Sequence, residues 1–265
     1  MKMSLKNIIP ALLSLLAVAP TAHLSAQENA YDVLGKTLAP IASVFAPDEP
    51  GQPGNHALVL DAHLLEASKL PPELQGQAVH VALMTPDAVL VQAPIAGELL
   101  TVCRDGDSLW ATPGSKLHYL LEQVTSSGSD KKKKKRKAEG ARLLGPLVLP
   151  VPQKDLVFLP ILFEVADAGA ETVAGVPCRK LDVQLMPQLA KSLHAEDWTA
   201  RLWVGADYGI VRIALKGPDW SGTVAIDKLA FSPDLPEATF QPQGTDVLRL
   251  TAEQFLALLG RVGRK

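Results

Sequence analysis

The 265-residue chain is poor in the residues that most often carry chemistry: it has two cysteines, six histidines and aromatic side chains at only 5% of positions. No histidine pair stands at metal-ligand spacing with a cysteine or a helical glutamate, so no metal centre is read from it. Asp61-Ala62-His63 sets two ligand types on one strand face, but a surface or core histidine is the simpler reading. There is no phosphate-cradling glycine loop and no dinucleotide fingerprint, and the carboxylates are scattered without an acid and base pair. No cofactor is expected, and the enzyme classes that depend on these motifs fall away.

One string imitates an active site. Gly106-Asp107-Ser108-Leu109 spells the nucleophile signature of a family of esterases, which carry the serine near the domain start, between a strand and a helix. Here it lies mid-chain between two apolar runs, and the last histidine, His194, has Lys191 where those enzymes have an aspartate. The string reads as a hairpin turn and the protein as a non-enzyme.

Long hydrophobic runs are missing from all but the first residues. Lys2 and Lys6, the apolar stretch Ile8 to Ala19 and the small residues ending at Ala26 follow the plan of a secretory signal peptide, expected over 1–26. Its core is short of the roughly 20 residues that a membrane anchor needs. Pro150, Pro152, Lys154, Asp155 and Pro160 break up the most hydrophobic later region. Residues 27–265 are therefore expected to be soluble in the periplasm. Cys103 and Cys178 leave two readings open: one bridge closing 76 residues, worth about 4 kcal/mol on a chain-entropy argument, or two buried free thiols.

Against these absences stands one excess. Lys131, Lys132, Lys133, Lys134, Lys135, Arg136 and Lys137 are consecutive, within a Ser, Gly and Asp-flanked insertion at about 126–142. Without Lys2 and Lys6 the formal charge falls from -2 to -4, and without this run to -11, so the body is acidic and the run a local exception. A secretory leader makes a nuclear address irrelevant, and no nucleic-acid partner is expected. Two readings remain: attachment to an anionic membrane surface, at about 1 kcal/mol per basic residue, or a solvated loop without a partner.

The rest is aliphatic and patterned. Tyr31, Leu34, Leu38, Ile41 and Phe45 keep helical spacing, with Pro40 expected to bend or end the helix. From His56 the period becomes that of strands: "HALVLDAHLLEA", "QAVHVALM", "AVLVQA", "GELLTVC" and "SLWATPG", separated by turns such as Asp105-Gly106. In the second half "RKLDVQL", "ARLWVGADYG", "GIVRIALKG" and "GTVAIDKLAF" give four more, with a helical candidate, "MPQLAKSLHAEDW", after the first. A closing helix is expected at about 251–262, opened by a capping box of Thr251 and Gln254. The fold class is α+β: a large antiparallel sheet of about eight to eleven strands with a few helices against one face.

Several of these segments resemble the LolA and LolB-like superfamily of periplasmic lipoprotein carriers. "VALMTPDAVLVQA", "RDGDSLWATPG" and "AGAETVAGVPCRKLDVQL" are similar to its strand, hairpin and Cys-containing motifs. Leu235, Phe240, Gly244 and Val247 are similar to its closing signature. The polybasic insertion is not part of that pattern. The resemblance implies an incomplete barrel with helices over its concave face, and a cavity for lipid or lipoprotein acyl chains.

Alternation then nominates inward residues for that cavity: Val79, Val81, Leu83, Val89, Val91, Trp110, Phe163, Leu181, Val183, Trp203, Val211 and Ile213. The reading is a monomeric, non-enzymatic carrier of acyl chains. The alternative is a secreted envelope structural or interaction protein with a filled core that docks through its basic loop.

Overall fold

The computed structural model describes residues 28–47, 54–68, 75–95, 97–118, 145–149, 151–252 and 254–255. The expected leader, the polybasic insertion and most of the closing helix lie outside them. Five strands form the first meander: β1 (Ala57–Ala67), β2 (Ala78–Met84), β3 (Ala88–Ile95), β4 (Glu98–Asp105) and β5 (Ser108–Thr112). A second follows: β6 (Phe163–Val173), β7 (Val176–Leu185), β8 (Thr199–Val204), β9 (Ile210–Lys216) and β10 (Ser221–Ser232), with the short β11 (Leu248–Arg249) after it.

The meanders fuse through β1 and β10, which pair from Ala57↔Ser232 to Ala67↔Gly222. The result is one antiparallel sheet of eleven strands in the order β11-β5-β4-β3-β2-β1-β10-β9-β8-β7-β6. Its outermost strands, β11 and β6, do not pair with each other, so the sheet stays open. This is the α+β architecture that the sequence pattern predicts.

β6 is the strand that pattern reading passes over. Glu164, Ala166, Asp167, Gly169 and Ala170 have little strand preference. What holds them is the ladder to β7, from Phe163↔Leu185 to Val173↔Val176.

Helix α1 (Ala30–Phe45) starts at Asn29, whose side chain accepts from the Asp32 amide at 2.9 Å. It does not stop at Pro40. The helix continues to Phe45, and Ser43 Oγ donates to the Pro40 carbonyl at 2.8 Å. Val33 and Leu34 of α1, both fully buried, pack on Leu181 and Val183 of β7 and Leu202 and Val204 of β8. A 3-10 helix, η1 (Gln153–Leu162), lies against α1 through Leu156, which meets Ala42 and Ala46. Helix α2 (Pro187–Leu193) links β7 to β8 where the sequence predicts a helix.

The face that α1 covers is the inner face, and the register carries it across the sheet. Leu202 stands opposite Ile213, Ile213 opposite Val224, and Val224 opposite Leu64. On β1 the same face presents Leu58, Leu60 and Ala62, which stand opposite Leu83, Val81 and Val79. The outer face is closed near its β5 end by a second 3-10 helix, η2 (Glu237–Phe240), whose Phe240 packs on Leu90, Cys103 and Trp110. Trp110 Nε1 donates to the Phe240 carbonyl at 3.1 Å.

Leu181 is fully buried at the centre of the α1 contact. Leu181→Ala should destabilise the fold by about 3 kcal/mol, read as a fall in the urea midpoint with an unchanged slope.

Candidate functional site

The inner face divides into three parts. Under α1 it is packed by the cluster around Leu34 and Leu181. At the other end Leu109, Ala111, Leu117 and Leu250 are buried together, with Leu100, Val102 and Phe255 against them. Between these clusters lies an aliphatic strip from β10 to β3: Ile226 and Leu229, Leu60 and Leu64, Val79, Val81 and Leu83, Val89 and Val91. These side chains are half-buried, Val91 is 37% exposed, and none joins either cluster.

Of the residues nominated from alternation, Val79, Val81, Leu83, Val89 and Val91 share this strip. Phe163, Leu181, Val183 and Ile213 lie on the same face but pack in or against the α1 cluster. Trp110, Trp203 and Val211 are a correction, because they occupy the outer face. Trp110 stands opposite Cys103 and packs on Phe240. Trp203 stands opposite Arg212 and is buried with Val173 and Cys178, and Val211 packs against that cluster. The register shift between Trp203 and Val204 sends Val211 outward, which strict alternation cannot foresee.

Alternation also misses inner residues of β10. The register shift between Asp61 and Ala62 leaves Asp227 unmatched, so the inner set changes phase from Val224 and Ile226 to Leu229 and Phe231. Among the described residues, the charged side chain that the register places beside the strip is Arg104, opposite Val89. It is 8% exposed and donates to the carbonyls of Gly106 at 3.3 Å and Gly145 at 2.9 Å. A separate depression of about 630 Å³ opens across β6 to β10 near Glu164, Gln184, Thr199 and Lys216, with Tyr31 on its rim.

Ion pairs fix the start of α1. Lys36 donates to Glu28 and, at 3.0 Å, to the Tyr208 hydroxyl, which donates to Glu28 at 3.1 Å. Arg179 donates to the Glu28 carbonyl at 2.8 Å and to Asp167 at 2.8 Å. On the outer face Arg201 grips Asp182 with two bonds, at 2.6 and 2.9 Å. Hydrogen bonds from Lys36 hold the Glu28 carboxyl below its ordinary range, those from Arg201 do so for Asp182, and the Gly169 amide does so for Asp167.

The strings that imitate chemistry have structural roles. Gly106 turns between β4 and β5 at φ +57°, and Ser108 Oγ accepts from Arg249 at 2.6 Å. Asp61 pairs with His80 at 2.6 Å and His63 with Asp227 at 2.5 Å, each on its own. Among the described residues no group of three metal-ligand side chains comes together. Cys103 and Cys178 are free thiols in separate buried clusters, so the bridge does not form and the two-thiol reading holds. Burial pushes the Cys103 thiol up to about 12 and raises that of Cys178 as well.

No protein-family model matches the chain, and no curated protein matches it. Solved structures are similar to it at low identity over most of its length. The Mycobacterium tuberculosis lipoprotein LppX is 12% identical with a TM-score of 0.38, over 78% of this chain and 96% of that chain. MucB of Pseudomonas aeruginosa, in its complex with MucA, is 14% identical with a TM-score of 0.38, over 84% and 64% respectively. A LolA superfamily protein from Nitrosomonas europaea is 11% identical with a TM-score of 0.28, over 81% and 98%. The resemblance read from the sequence returns among these structures. What the inner face can hold is read from its own side chains.

Two outcomes are expected. The lowered carboxylates contribute stability that is present above about pH 4 and lost as pH falls through their folded values. Asp182→Asn should therefore flatten the fall in urea midpoint between about pH 4 and 2; an unaltered slope would contradict the pairing. Neither native thiol should react with iodoacetamide at pH 8, while both should react in urea without reductant.

Proposed function

We propose that this protein is a non-enzymatic periplasmic binder and carrier of lipid or lipoprotein acyl chains, held on the inner face between β10 and β3. The half-buried aliphatic strip carries this reading. It presents branched side chains from four neighbouring strands, and the clusters at either side are already filled with their own contacts. Three strand spacings make the strip about 14 Å wide, the scale of a fatty acyl chain. Apolar burial is non-directional, which suits a flexible ligand better than a rigid one. At about 0.8 kcal/mol per buried methylene, about ten methylenes supply the ~8 kcal/mol of micromolar affinity before ordering costs.

Nothing in the strip offers a nucleophile or an acid and base pair, so the activity is sequestration. The leader over 1–26 would take the chain to the periplasm, leaving 27–265 as one carrier domain. The cations Lys131 to Lys137 would hold it to an anionic membrane surface. We take the working unit to be a monomer.

Val81 on β2 and Val91 on β3 stand opposite each other within the strip. Replacing both by Asp should weaken uptake of a fluorescent fatty acid at least tenfold, with the circular dichroism spectrum unchanged. Equal uptake by the variant would put the chains elsewhere than this strip, and no uptake by the unaltered protein would move the reading to an interaction protein whose inner face is filled.

A further inference from the structure

The sequence leaves the 3-10 helix η1 with more apolar residues than its packing uses. Leu156, Leu159 and Pro160 turn toward α1: Leu156 and Leu159 join Ala42 and Ala46, and Pro160 reaches Gly35. The other edge faces outward. Val157 is 71% exposed, Phe158 59%, Ile161 60% and Leu162 44%, with Val148 exposed in the segment before it. Four large apolar side chains are thus exposed within six residues of one short helix, and a water-facing surface needs none of them.

Its place in the chain indicates the occupant. The seven consecutive cations end at Lys137, sixteen residues before Gln153 opens η1, in a protein whose remaining charge is strongly negative. An acidic body repels an anionic bilayer, and a run of this kind reverses the sign locally. Cations alone give attachment that salt reverses, and a few apolar side chains alone give marginal partition; stable residence on a membrane takes two such signals. A run of cations and an exposed apolar edge follow each other here in one stretch of chain.

We infer that η1 inserts Val157, Phe158, Ile161 and Leu162 into the acyl boundary of an anionic phospholipid bilayer. The helix lies flat on α1, so insertion is shallow and leaves the fold intact. α1 is also the element whose other side packs on the inner face of the sheet, so a bilayer at η1 lies one helix away from that face. The inference stands apart from acyl-chain uptake, because vesicle binding is measured without a soluble fatty acid.

The experiment is co-sedimentation with vesicles of phosphatidylglycerol and phosphatidylcholine in equal parts, at 0.1 and 0.5 M salt. The unaltered protein should bind at both, more weakly at the higher. Phe158→Ser with Ile161→Ser should bind at least tenfold less at 0.5 M salt, with an unchanged thermal midpoint, since both side chains are mostly exposed. Cys103 and Cys178 are buried, so a cysteine introduced by Phe158→Cys takes an environment-sensitive fluorophore selectively. Its emission should shift to the blue on adding vesicles. Equal sedimentation of the serine variant, or an unshifted emission, would overturn the inference. So would a dimer in light scattering that the serine variant dissolves, because the patch would then belong to a second copy of the chain.

Discussion

A sixteen-residue helix cannot cover an eleven-stranded sheet. At 1.5 Å per residue α1 is about 24 Å long, whereas ten strand spacings of about 4.8 Å make the sheet about 48 Å wide. The remaining features of the inner face follow from that shortfall. η1 adds little reach, because it doubles back along α1, with Leu156 beside Ala42 and Pro160 beside Gly35. The approach there is close: a Cβ at Gly35 would stand 3.2 Å from Pro160 Cγ. The helices thicken the cover that starts over β6 and reaches β10 and β1 at the C-terminal end of α1. The half-buried strip from β10 to β3 lies between the Leu34 and Leu250 clusters.

The two faces spend their residues differently. The outer face carries the pairs Asp61 with His80, His63 with Asp227, and Asp182 with Arg201, and Glu171 there accepts from Trp203 at 3.2 Å. Such groups are at ease in water, and their pairing adds modestly to stability. The inner strip is uniformly aliphatic except for Arg104 at its margin. A monomeric protein rarely leaves a contiguous apolar surface half covered unless something binds there. The same reasoning applies to η1, where Val157, Phe158 and Ile161 are apolar and mostly exposed.

Much of this was legible in the sequence because strand alternation is a direct record of burial. "RKLDVQL" puts Leu181 and Val183 on one face, and they are buried there; "QAVHVALM" puts Val79 and Val81 on that face too, where they are half-buried. The capping box is also read correctly: the Thr251 amide donates to Gln254 Oε1 at 2.8 Å, and the Gln254 amide to Thr251 Oγ1 at 3.2 Å. What escaped depends on long-range pairing. β6 has no strand signature of its own, and the fusion of β1 with β10 joins segments more than 150 residues apart. Trp110 and Trp203 are large and apolar, which suggests a core position without saying which core. Each sits on the outer face with an indole N–H that finds an acceptor there, Phe240 O or Glu171. A one-residue shift at a bulge moved Val211 across the sheet, and no composition signal marks it.

The central claim is that the strip between β10 and β3 holds acyl chains. Native mass spectrometry of the protein purified without detergent, with lipid analysis of whatever dissociates, tests it most directly. The account predicts a stoichiometric adduct with the mass of an acyl-chain lipid, or its appearance on adding one. A bare protein mass that added lipid leaves unchanged would contradict it.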